Sequence, residues 1–145
     1  MKTFIDNASN AWIITINVDA IKRVRSLLNI NLLEVVDGKL LEKLANDPVL
    51  LCDIIYAVCK PEADSRHISD EEFGKAMAGD AIAHATTALF EELADFFPSG
   101  RRELIRKALI KLKAWEIKLL SAAEAKLESP ELEAQLENAL KSVGT

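Results

Sequence analysis

The sequence predicts a mainly α protein of α+β type: an N-terminal β-hairpin packed on a bundle of about six helices, with a long helix near the C-terminus. Three observations carry that expectation. Half of the 145 residues are hydrophobic, with only five Gly and four Pro, so most of the chain can sit in regular elements around a buried core. Period-two alternation is confined to the first sixteen positions. From Asn17 onward the apolar residues recur three and four apart, the helical spacing.

Taken in order, KTFID, NASN and AWIITIN read as strand, turn and strand over residues 3–16. Trp12, Ile14 and Ile16 fall on one face of the second strand, Ile13 and Thr15 on the other. A lone hairpin is marginal in water, so its apolar face is expected to lie on the helices. Asn17 is a helix cap for a segment through about Leu28, with Val18, Ile21, Val24 and Leu28 along one side. INLLEVVDG then makes an apolar turn ending at Asp37-Gly38, followed by a short helix over 39–45. Asp47-Pro48 starts the next helix, with Asp as N-cap and Pro in the first turn. It reads VLLCDIIYAVCK, apolar nearly all round, and is expected to stop before Pro61 and to form the centre of the core.

Ser69 and Glu72 have capping-box spacing, and Phe73 and Met77 point inward from the short helix they start. Gly79 interrupts that helix, and Asp80 is the expected cap of the next, Ala81 to Phe97, whose stripe is Ile82, Ala85, Leu89, Leu93 and Phe96 or Phe97. After Pro98-Ser99-Gly100 comes the longest helix, Arg101 to about Glu128. Ser129-Pro130 starts a final amphipathic helix through Leu132, Leu136 and Leu140. The domain reading is therefore one helical domain over 1–128 and a tail helix over 129–145.

A helix of that length measures ~40 Å, whereas a globule of this size has a radius of gyration near ~15 Å. Its far end therefore needs another surface, be it the tail helix, a symmetric mate or a bound partner. Ile105, Ala108, Leu109, Leu112, Trp115 and Leu119 lie along one side, widened by Leu104, Ile117 and Leu120. The candidate partner-binding residues are Leu112, Trp115, Leu119 and Leu120 on this helix, with Leu132 and Leu136 on the tail.

Net charge is −5, which disfavours nucleic acid as the main partner, because phosphate binding needs a basic face. The charge is uneven: residues 62–95 hold nine acids against Arg66 and Lys75, while 98–127 hold eight Lys or Arg against Glu103, Glu116 and Glu124. Mutual attraction of the two segments is the expected consequence. No run is apolar enough to span a membrane, and the N-terminal segment lacks the apolar stretch of a secretory signal, so the expectation is a soluble, cytoplasmic chain without a membrane partner.

Catalytic and cofactor readings find little support in the residues. Gly74 and Gly79 have phosphate-loop spacing, but Asp80-Ala81 stands where Lys and Ser/Thr would hold phosphate, and no strand precedes them. Asp80 and His84 are four apart, near Asp70, Glu71, Glu72 and His67, yet the chain has no Glu-x-x-His pair of a helical di-metal site. Cys52 and Cys59 lie ~10 Å apart along one helix, too far for a disulfide within it, and read as buried thiols. Glu91, Glu92 and Asp95 lie opposite the Leu89–Leu93 stripe and are expected to be solvated. No cofactor or metal is expected.

The order of features is more telling than any one residue. After the hairpin come LLNINLL, then a D-P-x-x-L…D-x-x-Y helix in Asp47, Pro48, Leu51, Asp53 and Tyr56, then an acidic D-E-E-F turn in Asp70, Glu71, Glu72 and Phe73. Over about residues 3–97 this resembles the tail assembly chaperones of long-tailed bacteriophages and their prophage-derived homologues. The resemblance implies a non-enzymatic protein of the bacterial host cytoplasm. Such a protein binds the tape-measure protein, helps recruit tail-tube subunits and is absent from the finished particle, sometimes with a longer frameshifted form. A homo-oligomer is also expected, from the long helix. The competing expectations are a structural tail or connector component, and a small helical-bundle enzyme or metal-binding protein using Asp80, His84 and the nearby acids.

Overall fold

A computed structural model describes residues 1–143 of the chain. The protein is mainly α, with a two-stranded antiparallel hairpin at its N-terminus. The hairpin joins β1 (Lys2–Ile5) to β2 (Ala11–Ile14), with Phe4 opposite Trp12 and Lys2 opposite Ile14. Phe4, Trp12 and Ile14 are buried while Ile5 and Ile13 face out, as the alternation predicts. The turn is built on Asp6, whose Oδ1 accepts the backbone N–H of Ala8 and of Asn10, both at 2.9 Å. Its Oδ2 accepts the indole N–H of Trp12 at 2.9 Å, so the carboxylate ties the turn to the buried end of β2.

Seven α-helices follow among the described residues: α1 (Val18–Leu28), α2 (Lys39–Asn46), α3 (Pro48–Ser65), α4 (Asp70–Lys75), α5 (Asp80–Phe96), α6 (Ser99–Leu127) and α7 (Pro130–Val143), with a 3₁₀ turn over Leu32–Asp37. Asn17, Asp47 and Ser69 cap α1, α3 and α4 through side-chain oxygens, and Asn31 caps the 3₁₀ turn in the same way. Gly38 ends that turn at φ +84°, in the left-handed region that favours glycine. Contacts divide the chain into two compact units, Met1–Leu109 and Ile110–Thr145. The division falls inside α6, whereas the sequence reading placed the boundary after residue 128.

In the first unit α3 is the central helix, touching α1, α2, α4, α5 and β2. Its buried residues include Leu51, Ile54, Ile55, Val58 and Cys59. The strand β1 lies on α5, and Phe73 meets Trp12 edge-on at 5.2 Å and Tyr56 at a tilt at 5.4 Å. The Arg66 guanidinium stands 5.0 Å from the Trp12 ring.

Four local expectations are corrected. The helix α3 does not stop before Pro61 but runs through it to Ser65. A proline leaves the carbonyl four residues earlier without its donor. Here that carbonyl, Ala57, accepts from Arg23 Nη1 at 3.3 Å, and the next one, Val58, accepts from the same nitrogen at 3.0 Å. Asp19 pairs with the other guanidinium nitrogen and steadies the arm. Secondly, Asp80 does not cap α5: Gly79 occupies the cap position at φ +59°, with no side-chain cap bond, and Asp80 is the first helical residue. Thirdly, only half of the capping box forms. Ser69 Oγ accepts from the Glu72 N–H at 3.1 Å, while the Glu72 carboxylate meets the Ser69 hydroxyl instead of its backbone N–H. Fourthly, Glu92 is buried, at 7% exposure, with the Met1 amino group 2.7 Å from its carboxylate.

Candidate functional site

The stretch that most resembles a site in the sequence is a joint between helices. Gly74 lies inside α4, so the two glycines do not frame a loop that could wrap a phosphate. The acids around it are paired locally: Glu71 with Lys75, Glu62 with Arg66 and Asp64 with Lys60, each four residues apart. The expected attraction between the acidic and basic segments reduces to one anchor. Arg106 pairs with the Asp95 carboxylate at 2.7 Å, and Arg102 donates to the carbonyls of Asp95 and Phe97, both at 3.2 Å. These bonds cover the C-terminal carbonyls of α5 and suit the negative end of its dipole.

His67 and His84 are both exposed, and no group of three His, Cys, Asp or Glu among the described residues gathers closely enough to hold a metal ion. Cys59 is buried with its thiol 3.7 Å from the Ile13 carbonyl. Burial, and then the Glu62 charge, push its pKa up to about 12, against smaller lowering by Arg23 and Arg66. Cys52, half-buried, is shifted the same way by burial and by Asp53. Neither thiol is poised as a thiolate nucleophile. The carboxyl of Asp53 is raised by partial burial and by the neighbouring Asp70 and Asp47 charges.

The second unit presents a different surface. Ile105, at 1% exposure, is the last buried residue of the described chain. Beyond Leu112 the apolar positions of α6 remain in solvent: Trp115 is 64% exposed, Leu119 62% and Leu120 64%. The helix α7 buries none of its residues, and Leu136 is 54% exposed. Leu112 and Leu132 are half-buried. Of the six residues predicted to bind a partner, four are thus exposed and two partly covered. A closed hairpin in which α7 shields the apolar side of α6 is not formed.

The exposed surface is larger than the six residues named from the sequence, since Ile110, Ile117, Leu127, Leu140 and Val143 are also more than half exposed. Their signal is present in the text of α6, where apolar residues occur on every side of the helix. An α-helix apolar all round is normally buried. Exposed leucines scattered singly are ordinary, whereas a run of them along two consecutive helices makes this stretch the candidate surface. The cationic side chains of this run, Lys111, Lys113, Lys118 and Lys126, make no ion pair among the described residues, nor does Glu116.

No helix among the described residues is long and apolar enough to cross a membrane. No protein-family model, curated protein or solved structure matches the chain.

Proposed function

We propose that the chain is a non-enzymatic binding protein of the tail-assembly-chaperone type, holding a long helical client of the tape-measure kind in the bacterial cytoplasm and passing it to tail-tube subunits. The observation that carries the reading is the contrast between a closed first unit and the exposed apolar surface on α6 and α7. The order of hairpin, Asp47-Pro48 helix and acidic Asp70–Phe73 turn adds the resemblance described above. A client with its own apolar stripe would lie against Leu120, Leu132 and Leu136 as helix against helix, with the lysines and glutamates of the two helices forming a polar rim.

Co-expression with a tape-measure protein encoded beside it tests this reading. The chain keeps the client soluble and co-purifies with it, whereas Leu120→Asp combined with Leu136→Asp loses both effects. Finding the polypeptide in purified mature particles would instead favour a structural tail component.

A further inference from the structure

We propose that α6 binds a second copy of this chain, side by side and parallel, through the stripe Leu112–Trp115–Leu119, and that Lys111 of each copy pairs with Glu116 of the other. The proposal is independent of the client reading.

Ile105, Ala108, Leu112, Trp115, Leu119 and Ala122 are separated by three, four, three, four and three residues, the repeat of a coiled-coil seam. The structure divides this stripe sharply. Ile105 is buried in the first unit, Leu112 is partly covered, and Trp115, Leu119 and Ala122 are exposed. The same geometry that seats Ile105 therefore continues into an uncovered seam. Two heptads of it lie on a helix already held in place at its N-terminal end by Ile105, Arg102 and Arg106, so the nucleation cost of a free peptide is largely met.

Charge selects the occupant and its direction. With Leu112 and Leu119 at a and Trp115 and Ala122 at d, Lys111 and Lys118 fall at g and Glu116 falls at e. In a parallel pair, g of one helix faces e of the other five residues further on, and Lys111 to Glu116 is that spacing. Two-fold symmetry makes the contact twice. An antiparallel pair sets g against g and e against e, which brings lysine to lysine and glutamate to glutamate. A fold-back of α7 is necessarily antiparallel, because only Glu128 and Ser129 join the two helices. The helix α7 buries none of its residues and so does not occupy the seam, a parallel second copy supplies the complementary Lys111–Glu116 arrangement, and neither residue has an ion pair among the described residues.

The outward positions explain the rest of the surface. In this register Ile110, Ile117, Leu120 and Leu127 lie at f and b, pointing away from the mate. A dimer thus closes one apolar stripe and leaves another on each copy.

Sedimentation of the full chain at concentrations from ~1 to ~100 μM gives the direct test. The expected result is twice the 16.0 kDa monomer mass at the upper end. Trp115→Asp and Leu119→Asp, both at exposed positions that the fold does not need, hold the chain at monomer mass. Lys111→Glu or Glu116→Lys alone weakens the dimer roughly five-fold, since two pairs change from attraction to repulsion, and the double exchange restores it. Oxidation of Ala122→Cys yields a disulfide-linked dimer, because only a parallel in-register pair brings the two d positions together. A chain that stays monomeric throughout overturns the proposal. So does a dimer that ignores the Trp115 and charge substitutions, or one that fails to cross-link at position 122.

Discussion

The first 109 residues and the remainder use similar amino acids to opposite ends. In Met1–Leu109 the apolar residues converge: Trp12, Ile14, Ile54, Ile55, Phe73 and Leu89 are each at most 1% exposed. In the second unit Trp115, Leu119, Leu120, Leu136 and Leu140 all remain more than half exposed. Hydrophobic content alone does not place a residue inside. A side chain is buried only where other elements return to meet it, and the second unit consists of successive helices with no layer over their apolar sides. Such a surface is stable in isolation only as helix.

The largest effects should separate the units by stability. Leu89→Ala removes a fully buried side chain between α5 and its neighbours and is expected to cost about 2–5 kcal/mol in chemical denaturation. Leu120→Ala, at an exposed position, should change stability by less than about 0.5 kcal/mol. Comparable losses from both would mean that the two units do not differ in burial.

Next in size is the hairpin turn. Asp6→Ala strands the buried indole N–H of Trp12 and two turn amides, so a loss of about 2–3 kcal/mol is expected. A neutral result would mean that the Asp6 network is replaced by water without cost.

The proline repair is smaller and can be isolated. Arg23→Met leaves the Ala57 and Val58 carbonyls without their side-chain donor, at about 1–2 kcal/mol. Pro61→Ala supplies a backbone N–H to Ala57, so Arg23→Met should cost less in that background. A double-mutant cycle with no coupling would show that Arg23 acts elsewhere.

The last effect is confined to alkaline pH. Cys59 has a folded pKa raised from 9.0 to about 12, so the folded chain holds its proton more tightly than the unfolded one. Below about pH 9 both states are protonated and the group is neutral to stability. Between about 9 and about 12 the unfolded thiol ionises first, and stability falls by up to about 1.4 kcal/mol per pH unit. Cys59→Ala should remove that part of the slope, read as the difference between the two proteins at pH 8 and pH 10.5. Equal slopes would indicate that the buried thiol does not contribute.

Local rules were readable from the residues and distant partnerships were not. The hairpin alternation and the caps Asn17, Asp47 and Ser69 depend on neighbours a few positions away, and each formed as the text suggests. The end of α3 cannot be read from Pro61 alone, because the donor that makes this proline tolerable sits on α1, 34 positions before the Ala57 carbonyl it reaches. The burial of Glu92 is invisible to local spacing because its partner, the Met1 amino group, lies at the other end of the unit in sequence. For the candidate surface, the spacing along α6 identified the apolar residues, including Trp115 and Leu119, but spacing cannot tell whether another element covers them. That depends on where α7 goes, and no residue of the connector at 128 and 129 specifies it.

Amide hydrogen exchange on the full chain, diluted well below 1 μM, tests the contrast most directly. Slow exchange is expected for the core amides of α3 and α5, which open only with the unfolding of the first unit. Residues 110–143 should exchange orders of magnitude faster, as helices with one side in water. Protection over 110–143 equal to that of α3 in the dilute, isolated chain would contradict the account, because these helices would then already be covered.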